Sequence, residues 1–257
     1  MLRALTSGVS GLNAQQIKVD IIANNLANVN TRGFKKSRVN FNELLSKSML
    51  DSGLPVAAEN NQVGLGGGVR VANVDRIYDL GNIVETGMMM DLAIGGEGFF
   101  KVLLPDGEER FTRDGSFRFD QDGSIVTSAG YKLEGVQLAP SAGKINVCPD
   151  GTIMAKDEGE DTTRVGQIRL YMFTNMSKLH AVGENLYSFT GNTGEVLTGR
   201  PGVEKFGELK PGFIEAANVG LVEEMTNLIE AQRAYGFNTR IVRTADEMWS
   251  MANNLRK

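Results

Sequence analysis

The residues able to do chemistry are few and scattered. His180 is the only histidine and Cys148 the only cysteine, so a zinc site of Cys and His ligands has no donor set and no intramolecular disulfide can close. His180 follows Ser177 by three residues in Ser-Lys-Leu-His. No Gly-x-Ser-x-Gly elbow accompanies it, and a lone histidine on a turn or strand reads as a surface or packing residue. Gly64, Gly66, Gly67 and Gly68 lack the Gly-Lys-Ser/Thr ending of a phosphate-binding loop, and Gly95-Gly96-Glu97-Gly98 runs into Phe99-Phe100, a strand-like rather than helical continuation. Asp120-Gln121-Asp122-Gly123 resembles part of a calcium loop, but without the third acidic position and closing glutamate it is fully explained as a turn. Glu108, Glu109, Asp114 and Asp120 could supply a glycosidase-like carboxylate pair, yet 23% charged residues is an ordinary share. The expectation is therefore no catalytic, cofactor-binding or metal-ligating residue, and no cofactor.

Charge points the same way. With 27 basic and 31 acidic residues the formal net charge is −4, too weakly acidic to promise attraction to nucleic acid or an anionic membrane. Arg32, Lys35, Lys36 and Arg38 form a basic cluster without aromatic interleaving, read as meeting acidic partners or water. Asp157 to Asp161 reads as a solvated acidic loop. The first residues carry one early arginine and no apolar run of about 7 to 15 residues, and no stretch approaches about 18 consecutive apolar residues. The expectation is no cleaved signal peptide and no membrane insertion.

The elements that would position such residues are set by glycine and proline. Of 31 glycines, 26 lie between positions 51 and 212 together with all six prolines. The ends can be long helices; the middle cannot. At the N-terminus Leu5, Leu12, Val19 and Leu26 recur every seven residues, broadened by Leu2, Val9, Ile22, Ala23 and Val29. Gly33 reads as the helix stop. At the C-terminus Leu221, Leu228, Tyr235, Val242 and Trp249 repeat the interval, with Met225 beside them. Asn218 reads as the cap, and Glu223, Glu224, Arg256 and Lys257 complement the helix dipole. The two helices would run about 40 Å and about 55 Å at 1.5 Å per residue. Asn24, Asn25, Asn28, Asn227, Gln232 and Asn238 are unusually many amides for two helices; asparagine is a poor helix former, better suited to setting register or partner than to adding stability, and Asn25 falls beside the seam. Gly220 and Gly236 mark places for a close backbone approach or a bend.

Between the helices, Asp106-Gly107, Asp114-Gly115, Asp122-Gly123 and Asp150-Gly151 signal turns. The runs around them, Phe99 to Leu104, Phe117 to Phe119, Ser124 to Thr127, Gln167 to Phe173 and Asn185 to Thr190, are short and rich in β-branched or aromatic residues. Residues 46 to 75 fit neither template and read as an extended connector or irregular hairpin. The predicted fold is mixed α and β: terminal helices forming a coiled coil, with a mainly antiparallel β middle. Its segments are 1–45, 46–90, 91–212 and 213–257. Amphipathic ends flanking a β domain, with no chemistry between, predict self-assembly into a ring or a helical filament.

Three strings then become recognisable. Residues 23–38, Ala-Asn-Asn-Leu-Ala-Asn-Val-Asn-Thr-Arg-Gly-Phe-Lys-Lys-Ser-Arg, closely resemble the N-terminal signature of bacterial flagellar rod and hook proteins. Residues 223–238, Glu-Glu-Met-Thr-Asn-Leu-Ile-Glu-Ala-Gln-Arg-Ala-Tyr-Gly-Phe-Asn, resemble the C-terminal one, and Gly98 to Val102 with Phe111 to Phe117 resemble the family's β domain. Within the family the length, the run from Leu45 through Gly87 to Gly95, and Gly183 to Tyr187 look most like the distal rod members. Thr31-Arg32-Gly33-Phe34 and Gly236 depart from the usual pattern.

The resemblance implies a structural subunit exported through the flagellar export apparatus, polymerised with itself in the periplasm, and flanked by proximal rod proteins, hook protein and the bushing rings. It implies that the terminal helices line an inner tube around the export channel, with Leu5, Leu12, Val19, Asn25, Leu26, Leu221, Met225, Leu228, Tyr235, Val242 and Trp249 at the assembly interface. The 46–75 connector, by analogy, stiffens the shaft, and residues 91–212 are expected to stay folded alone. Other readings are a proximal rod or hook subunit, a cell-wall-cleaving enzyme using Asp114 or Asp120, and a carbohydrate-binding β domain on helical stalks.

Overall fold

In the computed structural model the described residues are 2–44, 47–48, 64–65, 67–137, 144–156 and 162–254. Two compact units divide them: residues 1–27, 36–77 and 219–257 form one, and residues 28–35 with 78–218 the other.

The first unit holds the long helices where the breaker-free ends predict them, α1 over Leu2–Ala27 and α2 over Leu221–Asn254. An antiparallel hairpin accompanies them: Ser37–Glu43 pairs with Val69–Arg76, with a register shift between Asn40 and Phe41. The end of the connector region is thus an eight-residue strand. Its apolar and polar residues do not alternate cleanly, which is why the strand template failed there. Residues 49–63 lie outside the described residues, as do Arg256 and Lys257.

The second unit is antiparallel β. Its largest sheet has seven strands in the order Leu179–Gly183, Leu186–Phe189, Glu109–Thr112, Phe100–Leu103, Lys132–Gln137, Ser124–Thr127 and Phe117–Phe119. A three-stranded sheet spans Lys144–Val147, Thr152–Lys156 and Thr162–Gln167, and short pairs join Leu92–Gly95 to Glu208–Pro211 and Ile83–Glu85 to Phe213–Glu215. One core cluster centres on Leu92, Ile94, Phe100, Ile125, Ile153, Ile168 and Leu170. A second is aromatic: Phe99 lies edge-on to Tyr78, Phe173 and Tyr187 at centroid distances of 6.0, 5.6 and 5.8 Å.

The mixed α and β class with terminal helices and an antiparallel middle is as expected; three local readings are corrected. Gly33 does not end α1, which stops at Ala27. Gly33 instead takes φ +65° where a Cβ would sit 2.7 Å from the Arg113 backbone carbon, a position only glycine fills without strain. Asn218 does not cap α2: the first helical bond runs from the Glu224 N–H to the Gly220 carbonyl, and the Asn218 amide donates to Asp79 O at 3.2 Å. Three of the four Asp-Gly pairs are turns with left-handed glycines, at 107, 123 and 151. The fourth is different. Gly115 is glycine because a Cβ would overlap the Leu92 carbonyl at 1.8 Å, while Asp114 Oδ1 accepts from the N–H and hydroxyl of Ser116.

Candidate functional site

The two helices pack against each other with small residues. A Cβ at Gly8 would lie 3.0 Å from Val242, one at Gly11 would lie 2.8 Å from Asn238 Nδ2, and Asn25 bonds Glu224. The three pairs run in opposite sequence directions, so α1 and α2 are antiparallel. Ala14, Ile22, Ala231 and Ala245 are the buried apolar residues of this contact, each at most 5% exposed. On α2 the buried positions Glu224, Ala231 and Ala245 follow the seven-residue interval, but one step round from the large apolar series read in the sequence. Alanine at those positions lets the backbones come close, which larger side chains would prevent.

The residues expected at the assembly interface are accordingly at the margins of this contact or outside it. Leu5, Leu12, Val19, Leu26, Leu228 and Val242 are half-buried. Leu221, Met225, Tyr235 and Trp249 are exposed, at 49%, 49%, 39% and 48%. Gly236 makes no close approach, since a Cβ there would meet nothing within 4 Å; the tight glycines are Gly8 and Gly11.

Asn25 shows why an asparagine is placed in the helix. It is 2% exposed. Its Nδ2 donates to Ser37 O at 2.9 Å and to Glu224 Oε2 at 3.2 Å, while its Oδ1 accepts from Ser37 N–H at 2.9 Å. The side-chain amide thus pairs with Ser37 as a neighbouring strand's peptide would, and also anchors the first turn of α2. Aspartate has no donor for this, and glutamine is a methylene too long. Glu224 is 4% exposed within the first helical turn, where the dipole favours a carboxylate, and Glu223 pairs with Lys36 at 3.4 Å. Asn24 is exposed, and Asn28 accepts from Thr31 Oγ1 at 3.1 Å. Above Asn25, between the second half of α1, the start of α2 and strand Ser37–Glu43, opens a cleft of about 420 Å³.

A group the sequence reading missed lies in the β unit. Lys35, read above in a basic cluster that meets acidic partners or water, is fully buried against one such partner. Its Nζ donates to Glu215 Oε1 at 2.5 Å and to Asp79 O at 2.6 Å. Glu215 also accepts from Gly81 N–H at 2.8 Å and from Arg113 at 3.3 Å, and the Arg113 guanidinium sits 5.1 Å above the Phe99 ring. Burial pushes the pKa of both Lys35 and Arg113 down, while the Glu215 carboxylate pulls each back up. Charge clustering gave no signal for this, because Lys35 finds its partner 180 residues away. The network ties the segment after α1 and the strand before α2 to the sheet that carries Arg113. A fragment cut at 91–212 omits Lys35 and Glu215 and leaves Arg113 without its carboxylate.

His180 and Ser177 are exposed on a strand and its preceding turn, with no triad assembled. Among the described residues no three His, Cys, Asp or Glu side chains could hold a metal ion, and no helix is long and apolar enough to cross a membrane.

The sequence of the chain matches known proteins from end to end. Family profiles described as "Flagella basal body rod protein", "Flagellar hook protein FlgE/F/G D1 domain" and "Flagellar basal body rod FlgEFG protein C-terminal" match residues 5–35, 93–155 and 210–255. The chain is 42% identical over 267 residues to "Flagellar basal-body rod protein FlgG" of Borreliella burgdorferi, covering all of both chains. It is 39% identical to the protein of that name from Caulobacter vibrioides, covering 99% of this chain and all of the relative. A hook protein of Helicobacter mustelae is 43% identical over 140 residues, but that spans 52% of this chain and 31% of the relative. The chain therefore belongs to the flagellar basal-body rod protein family typified by FlgG, a family of structural subunits of the flagellar rod and not of enzymes.

Proposed function

We propose that this subunit polymerises with its own copies into the tubular distal rod, the drive shaft that passes motor torque to the hook and encloses the export channel. The observation carrying this reading is on α2. Leu221, Met225, Tyr235 and Trp249 stay 39–49% exposed after α1 has packed, and apolar surface of that extent on a helix calls for a partner. Copies of the chain supply it, through coiled-coil contacts of the terminal helices that include Leu5, Leu12, Val19, Asn25, Leu26, Leu228 and Val242. The β unit, with its own closed core, faces outward. Proximal rod proteins, hook protein, bushing rings and export apparatus are the remaining neighbours in this reading, and assembly takes place in the periplasm. The 46–75 region adds stiffness.

Replacing Leu12 or Leu228 with Asp tests the interface, because a carboxylate buried in an apolar contact is costly. Both variants are expected to fold their β unit and fail to polymerise, as seen by electron microscopy of the purified protein and of basal bodies. Normal rods from either variant would refute the assignment.

A further inference from the structure

The helix unit carries one concave surface and one apolar ridge that its own chain leaves open. The concave surface is the cleft above Asn25, with Ile21, Val39 and Phe41 among its lining and Lys18 and Arg38 at its rim. Its acidic residues are satisfied from within, Glu223 by Lys36 and Glu224 by Asn25. Lys18 and Arg38 join no ion pair among the described residues. The ridge lies on the second half of α2. Phe237, Ile241, Met248 and Met251 are 59%, 50%, 41% and 59% exposed. Their spacings of four, seven and three residues put them on one side of the helix, bordering the buried Ala245 at Ile241 and Met248 and farther from Ala231. Asp246 and Glu247, both exposed, stand beside Met248 and join no ion pair among the described residues.

Ridge and cleft match in kind: apolar side chains for the apolar part of the lining, Ile21, Val39 and Phe41, and two free carboxylates for two free cations. They cannot meet within one chain. Glu224 and Met248 lie on the same continuous helix, about 36 Å apart at 1.5 Å per residue, and a continuous helix does not fold back on itself. The contact also does not stop at two copies. Because the two surfaces differ, each copy can offer its ridge to one neighbour and its cleft to another, whereas a self-complementary patch would stop at a dimer. We infer that the cleft of one copy receives the Phe237–Met251 ridge of a second copy, so that copies join head to tail through this socket. The inference rests on the rod-subunit reading and names the contact by which the polymer grows.

The test uses the full chain with Cys148→Ser, carrying Val39→Cys and Met251→Cys, polymerised and then treated with a mild oxidant. The expected product is a covalent ladder of dimers, trimers and longer species. Each single-cysteine chain alone gives no covalent dimer, and a mixture of the two gives dimers only. Polymers that form but yield no ladder overturn the socket and leave the rod reading standing; dimerisation of the Met251→Cys chain alone, as efficient as the pair, overturns it in favour of a symmetric contact. An unaltered chain that neither polymerises nor enters basal bodies overturns both. In an independent arm, Lys18→Glu with Arg38→Glu lowers polymer yield about tenfold by placing like charges together, and adding Asp246→Lys with Glu247→Lys restores it. A yield that the first pair leaves unchanged, or that the second pair fails to restore, rejects the charge match and with it the proposed occupant.

Discussion

The two units are stabilised by opposite means. The β unit closes on itself: Leu92, Phe99, Phe100, Ile125, Ile153, Ile168 and Leu170 are at most 1% exposed, and the buried cations Lys35 and Arg113 both pair with the buried carboxylate of Glu215. The helix unit is open. Its interhelical contact buries alanines, one isoleucine and polar Asn25 and Glu224, while the large apolar residues of α2 face outward. The difference teaches that one chain can hold a part that is finished when it folds and a part finished only by association. Burying a leucine-sized side chain is worth about 1.5–3 kcal/mol, so the apolar surface left open on α2 is the surface that the proposed polymer would bury.

The comparison breaks first at Glu215. Glu215→Ala leaves two buried cations without a carboxylate, and losing one partner of a buried pair costs about 3–5 kcal/mol. Denaturant unfolding followed by the β signal should show a loss of that size; a loss below about 1 kcal/mol would mean the β unit is not held by its own charges. Next comes Asn25→Asp, which removes both amide donations and sets a second carboxylate against Glu224. A loss of about 2 kcal/mol is expected, read in the helical signal and sparing the β unit. If both units weaken equally, they are not separable in the way described.

High pH gives a third test, confined to the β unit. The Tyr171 hydroxyl donates to Glu134, and burial first, then that carboxylate, push its pKa up from 10.0 to about 12. The folded pKa is raised, so folding favours the protonated phenol: this stabilisation is complete below about pH 10 and disappears as the pH climbs to about 12. Ultraviolet titration should find Tyr171 ionising in that window with loss of β structure, distinguished from Tyr131, whose pKa its bond to Glu184 also raises, because Glu134→Gln should bring only the ionisation of Tyr171 earlier. The smallest effect is a gain. Gly236→Ala meets open space, and replacing a mid-helix glycine stabilises by about 1 kcal/mol, measurable as added helix in the unassembled chain. No gain would place Gly236 against something the single chain lacks.

Much of this was legible in the residues. The breaker-free ends became α1 and α2 within a few positions, and the runs at 117–119 and 124–127 became strands as read. These are local matters, decided by propensity and by turn residues such as Gly107 and Gly123. The seam was not legible, because a hydrophobic repeat tells which face of a helix is apolar but not which apolar face its own chain will take. Leu221, Tyr235 and Trp249 are the obvious stripe, yet the residues α2 buries in the chain are Ala231 and Ala245, while Gly8 and Gly11 approach α2 closely at Val242 and Asn238, an approach that larger side chains would prevent.

The sequence by itself determined where helix and β structure could lie, that catalytic groups were not gathered along it, and, by its terminal signatures, which family it resembled. Only the tertiary structure decided that Lys35 would be buried against Glu215, that Asn25 would imitate a strand for Ser37, and that Gly33 and Gly115 were needed for close backbone contact rather than for a helix stop or a turn. The reason is range. Propensity and turn chemistry act over a few residues and can be read in order, whereas Lys35 meets Glu215 180 residues away and Asn25 meets Ser37 and Glu224, 12 and 199 residues away, and a buried charge or amide is explained only by the group it meets.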